Sequence, residues 1–198
     1  MSSSEKPITE QQIYFIIEAA GWIHGEFQAR IDNLMGQLIK RLRRIQGGMQ
    51  NNVIIKVSAI EYNTYCRWIP ECMHTPVADV AWPGVSPGGL SDLGSALIEI
   101  EKELPVLDVL APPTEPIFIF IAGGLPTDNF QCVLSSLSNN LQYQSALKIA
   151  FGIPSLIGYD KYLLTELTGS ADTVFDFDQI SLFTPLVKNH LESKLSEI

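Results

Sequence analysis

Hydrophobic residues recur along this chain in two alternating patterns. One is the short, unbroken apolar run. Ile13 to Ile17 is such a run, closed by Glu18, and Ile117 to Ile121 (Ile-Phe-Ile-Phe-Ile) is another. Runs of this length suit strands buried on both faces of a parallel sheet. The other pattern is the three- and four-residue spacing of an amphipathic helix. From Glu26 to Gln46 it places Phe27, Ile31, Leu34, Leu38, Leu42 and Ile45 on one face, and Gly47-Gly48 follows as a stop.

Further along, the patterns predict strands at Asn52 to Tyr62, Tyr65 to Ile69, Ser145 to Phe151 and Thr173 to Phe177. The first strand is expected at Gln12 to Glu18. Helices are expected from Ser91-Asp92 to about Leu104, at Asn129 to Asn140, Tyr159 to Leu167 and Gln179 to Lys194. Ser91 or Asp92 is placed to cap the first of these, and Asp178 the last. Asn63-Thr64 predicts a hairpin, hence one antiparallel edge strand. Pro70 to Gly89 reads as irregular, with a short extended segment at Val77 to Trp82. Residues 1–11 are polar and expected to form a flexible tail, leaving 12–198 as a single domain. Strands alternating with helices imply an α/β, three-layer, doubly wound, Rossmann-like fold with a mostly parallel sheet.

Composition narrows the function classes. With 46% hydrophobic and 18% charged residues, the 198-residue chain can bury a substantial core. A net charge of −9 opposes general binding to nucleic acid or anionic membranes. Lys40, Arg41, Arg43 and Arg44 cluster near the end of the first helix, where they complement the helix dipole and are otherwise expected in solvent. The three cysteines cannot all pair, and no apolar signal-like stretch opens the sequence. The expectation is a cytoplasmic protein.

The usual catalytic patterns are missing. No Gly-x-Gly-x-x-Gly follows the first strand, and Gly89 to Gly94 is followed by Ser95 rather than the Lys of a phosphate loop. His24 has no nucleophile elbow to serve. Cys66, Cys72 and His74 lie near one another without the second ligand pair of a structural zinc site.

Three loops carry a different signal: Gly21, Gly25 and Glu26 after the first strand; Gly89, Leu93 and Gly94 before the central helix; and Gly124, Pro126, Thr127 and Asp128 after the Ile-Phe-Ile-Phe-Ile strand. This framework resembles the von Willebrand factor type A (VWA) family, and within it the bacterial tellurium-resistance-associated, TerY-like proteins. Family members carry a metal-ion-dependent adhesion site. Its pattern is Asp-x-Ser-x-Ser after the first strand, a Thr in Gly-Gly-Thr-x-Leu-Gly, and an Asp in Thr-Asp-Gly-x-Pro-Thr-Asp. At those ligand positions this chain has Glu18, Ala20, Trp22, Ser91 and Gly123. Ala, Trp and Gly side chains offer a cation no oxygen, whereas magnesium wants near-octahedral oxygen coordination. The site is therefore expected to be degenerate and without a bound cofactor.

The resemblance implies a non-catalytic protein–protein interaction module of a bacterial stress-response (tellurite-resistance-like) or defence system. A protein kinase or PP2C-type phosphatase is the implied partner, with no nucleic acid and no membrane. The expected rim for that partner is Trp22, Ile23, His24, Asp92 and Leu125, with Trp82 as a further aromatic anchor; the other placement open to Trp22 is folded back over the vacant metal pocket as a plug. Two alternatives stand beside it. One is a metal-dependent ligand-binding domain using Glu18 and Ser91, with Asp92 and waters. The other is a small enzyme on a Rossmann-like fold.

Overall fold

A computed structural model of the chain describes residues 8–49, 53–104, 114–155 and 158–195. Its strands are β1 (Thr9–Glu18), β2 (Val53–Tyr62), β3 (Cys66–Trp68), β4 (Thr75–Pro76), β5 (Ile117–Ala122), β6 (Leu147–Gly152) and β7 (Val174–Asp176). The helices are α1 (Glu26–Gly48), α2 (Leu93–Glu103), α3 (Phe130–Leu137), α4 (Leu141–Ser145), α5 (Lys161–Thr168) and α6 (Phe183–Leu195).

The strands form one sheet in the order β3-β2-β1-β5-β6-β7. β1 lies between β2 and β5 and runs parallel to both. The antiparallel edge is shared by two short strands. β3 pairs with the end of β2, and β4 with its middle. The chain winds outward from β1 in both directions, so the loops after β1 and β5 diverge at a topological switch point.

Strand alternation builds a core on each face. Ile13, Phe15 and Ile17 pack with Ile119, Leu34, Leu38 and Val187, under α1 and α6. Tyr14, Ile16, Phe118 and Phe120 pack with Leu97, Leu134 and Leu164, under α2, α3 and α5. Full burial of such a side chain is worth about 1.5–3 kcal/mol relative to leaving it exposed. That is why these continuous apolar runs become central strands. Among the described residues, no helix is long and apolar enough to cross a membrane.

Several local expectations are corrected. β1 begins at Thr9, so Thr9 to Gln11 belong to the sheet rather than to a tail; residues 1–7 lie outside the described residues. Gly47 and Gly48 are helical, and Met49 ends α1. The extended segment sits at Thr75–Pro76, not Val77 to Trp82, because β2 offers its free backbone edge there. The helix expected at Asn129 to Asn140 ends at Leu137. Asn140 then caps α4 by accepting from the Gln142 and Tyr143 amides. The last strand is followed by 3₁₀ turns at Phe177–Leu182 before α6, and Asp176 rather than Asp178 occupies their cap position.

The basic cluster on α1 is also not simply solvated. Arg43 donates to the Val77 and Val80 carbonyls at 2.8 and 2.6 Å, and Arg41 donates to Thr184 on α6 at 3.1 Å.

Candidate functional site

β1 delivers Glu18 to the switch point, where it is fully buried. A buried carboxylate needs partners. Its Oε2 accepts the Gly123 and Gly124 backbone N–H groups at 2.8 and 2.9 Å. Its Oε1 accepts the Trp22 indole N–H at 2.8 Å. The Trp22 ring folds back from the loop after β1 and meets Phe27 edge-on, with centroids 5.7 Å apart.

The two glycines after β5 make this arrangement possible. A Cβ on Gly124 would sit 2.6 Å from Glu18 Oε1 and 3.0 Å from Trp22 Nε1. One on Gly123 would sit 2.6 Å from the Ile153 carbonyl oxygen and 3.2 Å from the Trp22 ring. A larger residue at Gly124 would push against both the carboxylate and the indole, and one at Gly123 would collide with Ile153 and crowd the indole ring.

The three loops are laced together behind this cage. Gly21 N–H donates to the Gly89 carbonyl, and Gly88 N–H to that of Ala19. Thr127 N–H donates to the Ser91 carbonyl, while its hydroxyl accepts Ser91 N–H and donates to Asp92 Oδ1 at 2.7 Å. Neither Ser91 nor Asp92 caps α2 with its side chain. That role falls to Asp128 from the loop after β5, whose Oδ2 accepts Gly94 N–H at 2.7 Å. Burial, and then the nearby Asp92 charge, oppose ionisation of Asp128 and push its pKa up. Tyr62, deeply buried beside the Glu18 and Asp128 charges, has its hydroxyl pKa raised well above the ordinary value.

The expected rim is reorganised. Ala20 is buried and Ile23 has no exposed surface, because their loop turns inward through an Ile23 N–H bond to the Ala20 carbonyl. Ile23 is therefore a core residue rather than a partner contact. Trp22 is half-buried and Asp92 is held by Thr127, whereas His24 is exposed and Leu125 is 70% exposed. Trp82 does not join the rim. Its indole donates to Asp32 on α1 at 3.0 Å.

The metal expected in an intact site of this kind does not fit the residues present. Three positively polarised N–H groups converge on Glu18, and the indole lies across its carboxylate. Ser91 Oγ is buried with no hydrogen-bond partner, and none of the hydrogen bonds of the Glu18 cage reaches it. Among the described residues, no cluster of three or more His, Cys, Asp or Glu side chains is arranged to hold an ion. Cys66 and Cys72 are kept as thiols by burial, Cys72 with its pKa pushed up to about 11.

Sequence reasoning missed one constellation. Ser58, His74 and Glu103 come together, with Ser58 Oγ 3.4 Å from His74 Nδ1 and His74 Nε2 3.1 Å from Glu103 Oε2. The order resembles a hydrolytic triad, but a nucleophilic serine must reach its substrate. Ser58 is fully buried within β2, and its Oγ accepts His74 N–H and the Gln12 amide. The set acts as a clasp that holds the left-handed His74 turn, φ 50°, against β2 and α2.

A cavity of about 630 Å³ opens beside the indole. Trp22, Phe27, Gly123, Gly124, Leu125 and Tyr159 form most of its wall.

No protein-family model matches this chain, and no curated protein matches it. Solved structures do. Proximal thread matrix protein 1 from the mussel byssus aligns with a TM-score of 0.62 at 16% identity, over 91% of this chain and 46% of its own. Manganese-loaded Plasmodium vivax TRAP aligns with a TM-score of 0.58 at 13% identity, over 89% of this chain and 72% of its own. A von Willebrand factor type A structure from Catenulispora acidiphila aligns with a TM-score of 0.51 at 11% identity, over 85% of this chain and 38% of its own. The chain spans less than half the length of the mussel protein. At these identities the likeness is one of fold, that of von Willebrand factor type A domains.

Proposed function

We propose that this chain, built on the von Willebrand factor type A fold, is a non-catalytic protein-binding module that engages its partner without a metal ion. The observation that carries this reading is the Glu18 cage. The position at which the family resemblance would place a metal-binding Asp instead holds a carboxylate satisfied by two backbone amides and an indole. A cation there would have to displace Trp22 and face the Gly123 and Gly124 N–H dipoles. The setting we favour is a bacterial stress-response (tellurite-resistance-like) or defence system in the cytoplasm, with a kinase or PP2C-type phosphatase as partner. The residue-level resemblance to TerY-like proteins supports that setting.

The metal-dependent alternative through Glu18 and Ser91 draws on one observation. Ser91 Oγ and Asp128 Oδ1 are both buried without a hydrogen-bond partner, and a bound ion or water would satisfy such atoms. One experiment separates the readings. EDTA-stripped protein is titrated with magnesium, manganese and calcium and followed by thermal unfolding and calorimetry. An ion that binds the folded state must raise the Tm by linkage. No shift is the expected result. A shift that is lost in Glu18→Gln or Ser91→Ala would overturn metal-free binding.

A further inference from the structure

The cavity beside Trp22 has the character of a receiving pocket. Its floor is the Trp22 and Phe27 pair, and Leu125 projects at its edge with 70% of its surface exposed. The opposite wall is Tyr159. This ring lies directly over Gly152, where an added Cβ would fall 2.3 Å from it. Gly152 thus lets the tyrosine lie flat against the end of β6 and keeps the cavity open. At about 630 Å³, the space is in the range of small-ligand and anchor pockets.

The charges around the mouth are mostly of one sign. Asp160 lines the cavity. Glu26 adjoins Phe27 and is exposed, as are Asp176 and Asp178, whose charges act on Tyr159. Lys161 and His24 are basic residues of these segments, and Arg30 lies about one turn beyond Glu26 and Phe27 on α1. The whole chain carries a net charge of −9, so a basic approach is favoured at long range as well.

The geometry points to this cavity as the docking pocket for a large apolar side chain carried on a basic segment of a partner protein. The inference rests on the metal-free reading above and adds the chemistry of the partner. Trp22 serves twice: its N–H closes the Glu18 cage, and its ring face forms the surface on which the partner's side chain packs. Aromatic anchors seated in such pockets carry much of the energy of protein interfaces.

The test uses the full chain and a fluorescein-labelled peptide with a central Phe-Leu flanked by Lys and Arg, followed by anisotropy. Binding is measured in EDTA and again with magnesium. Replacing Phe-Leu with Ala-Ala should weaken binding about tenfold or more. Exchanging the basic flanks for Glu should have a comparable effect at low salt. Leu125→Ala, at an exposed position, should weaken binding about fivefold to tenfold. Asp160→Asn keeps the cap of α5 and should weaken binding about threefold, a difference that shrinks as salt is raised. Equal binding of the Phe-Leu and Ala-Ala peptides would overturn the pocket. So would indifference to Leu125→Ala, preference for the Glu-flanked peptide, or no peptide binding at all. Uptake of free indole that the peptide fails to displace would make the cavity a small-molecule site instead. Binding seen only with magnesium would break the metal-free reading. Absence of peptide binding in a protein whose Tm ignores metals would break this inference alone.

Discussion

Glu18 and Glu61 are both buried carboxylates, near the ends of neighbouring parallel strands, and the chain satisfies them in opposite ways. Glu61 sits opposite Ile17 in the β1–β2 register, one step before Glu18 and Tyr62. It is paired with Arg67, which reaches it at 2.7 Å from a largely exposed position, and it also accepts Ser86 N–H. Glu18 has only neutral donors. An ion pair opening to solvent is a structural tie, and its net worth is reduced by screening. A carboxylate held only by amide and indole dipoles depends on every donor keeping its place. The site is built on the second kind, so its three loops must remain in register.

Substitutions should sharpen that contrast. The largest effect is expected from Glu18→Ala, which leaves two backbone amides and an indole N–H facing an empty space. A loss of about 3–5 kcal/mol is expected, measured by urea unfolding. A loss below about 1 kcal/mol would mean that water replaces the carboxylate freely and the cage is not closed. Trp22→Phe comes next. It keeps an aromatic ring but removes one charge-assisted hydrogen bond, for an expected loss of about 1.5–3 kcal/mol. Its effect should largely vanish in a Glu18→Ala background, where no acceptor is left for the indole, because the two residues act as one unit. Glu61→Gln should be smallest, at about 1 kcal/mol or less. The amide still accepts Ser86 N–H, and Arg67 regains water. That difference should shrink further in high salt, whereas the Glu18 effect should not. Equal salt sensitivity at the two positions would break the comparison.

The sequence exposed the framework more readily than the site. Ile13 to Ile17 and Ile117 to Ile121 identify central strands because burial on both faces leaves no polar alternation to confuse the reading. The α1 stripe was equally legible, and its buried residues are largely those the spacing selected. Short edge elements were not. β4 exists because β2 has a free edge, and nothing local to Thr75–Pro76 demands it. At the site, Glu18, Trp22, Ser91 and Gly123 could be located from loop spacing. The sequence left Trp22 two placements, exposed in the rim or folded back as a plug; its hydrogen bond to Glu18 could not be read, because it depends on how the non-helical turn after β1 aims the indole. Ile23 misled for the same reason: an apolar residue in a loop gives no sign of whether it faces solvent or core. The Asp128 cap on α2 crosses from one loop to another, beyond any local capping rule.

The irregular stretch from Val77 to Leu90 has a consequence for how this surface can diversify. It is nailed down by partners scattered across the molecule. Arg43 holds Val77 and Val80, Asp32 holds Trp82 and Val85, Gln28 holds the Val85 carbonyl, Glu61 holds Ser86, and Thr64 holds Leu90. No single substitution releases it, and few of the ties depend on the stretch's own side chains. Most of them grip its backbone. Its outward residues are therefore free to drift while the loop keeps its shape. A lineage can repaint this flank without renegotiating the fold that displays it.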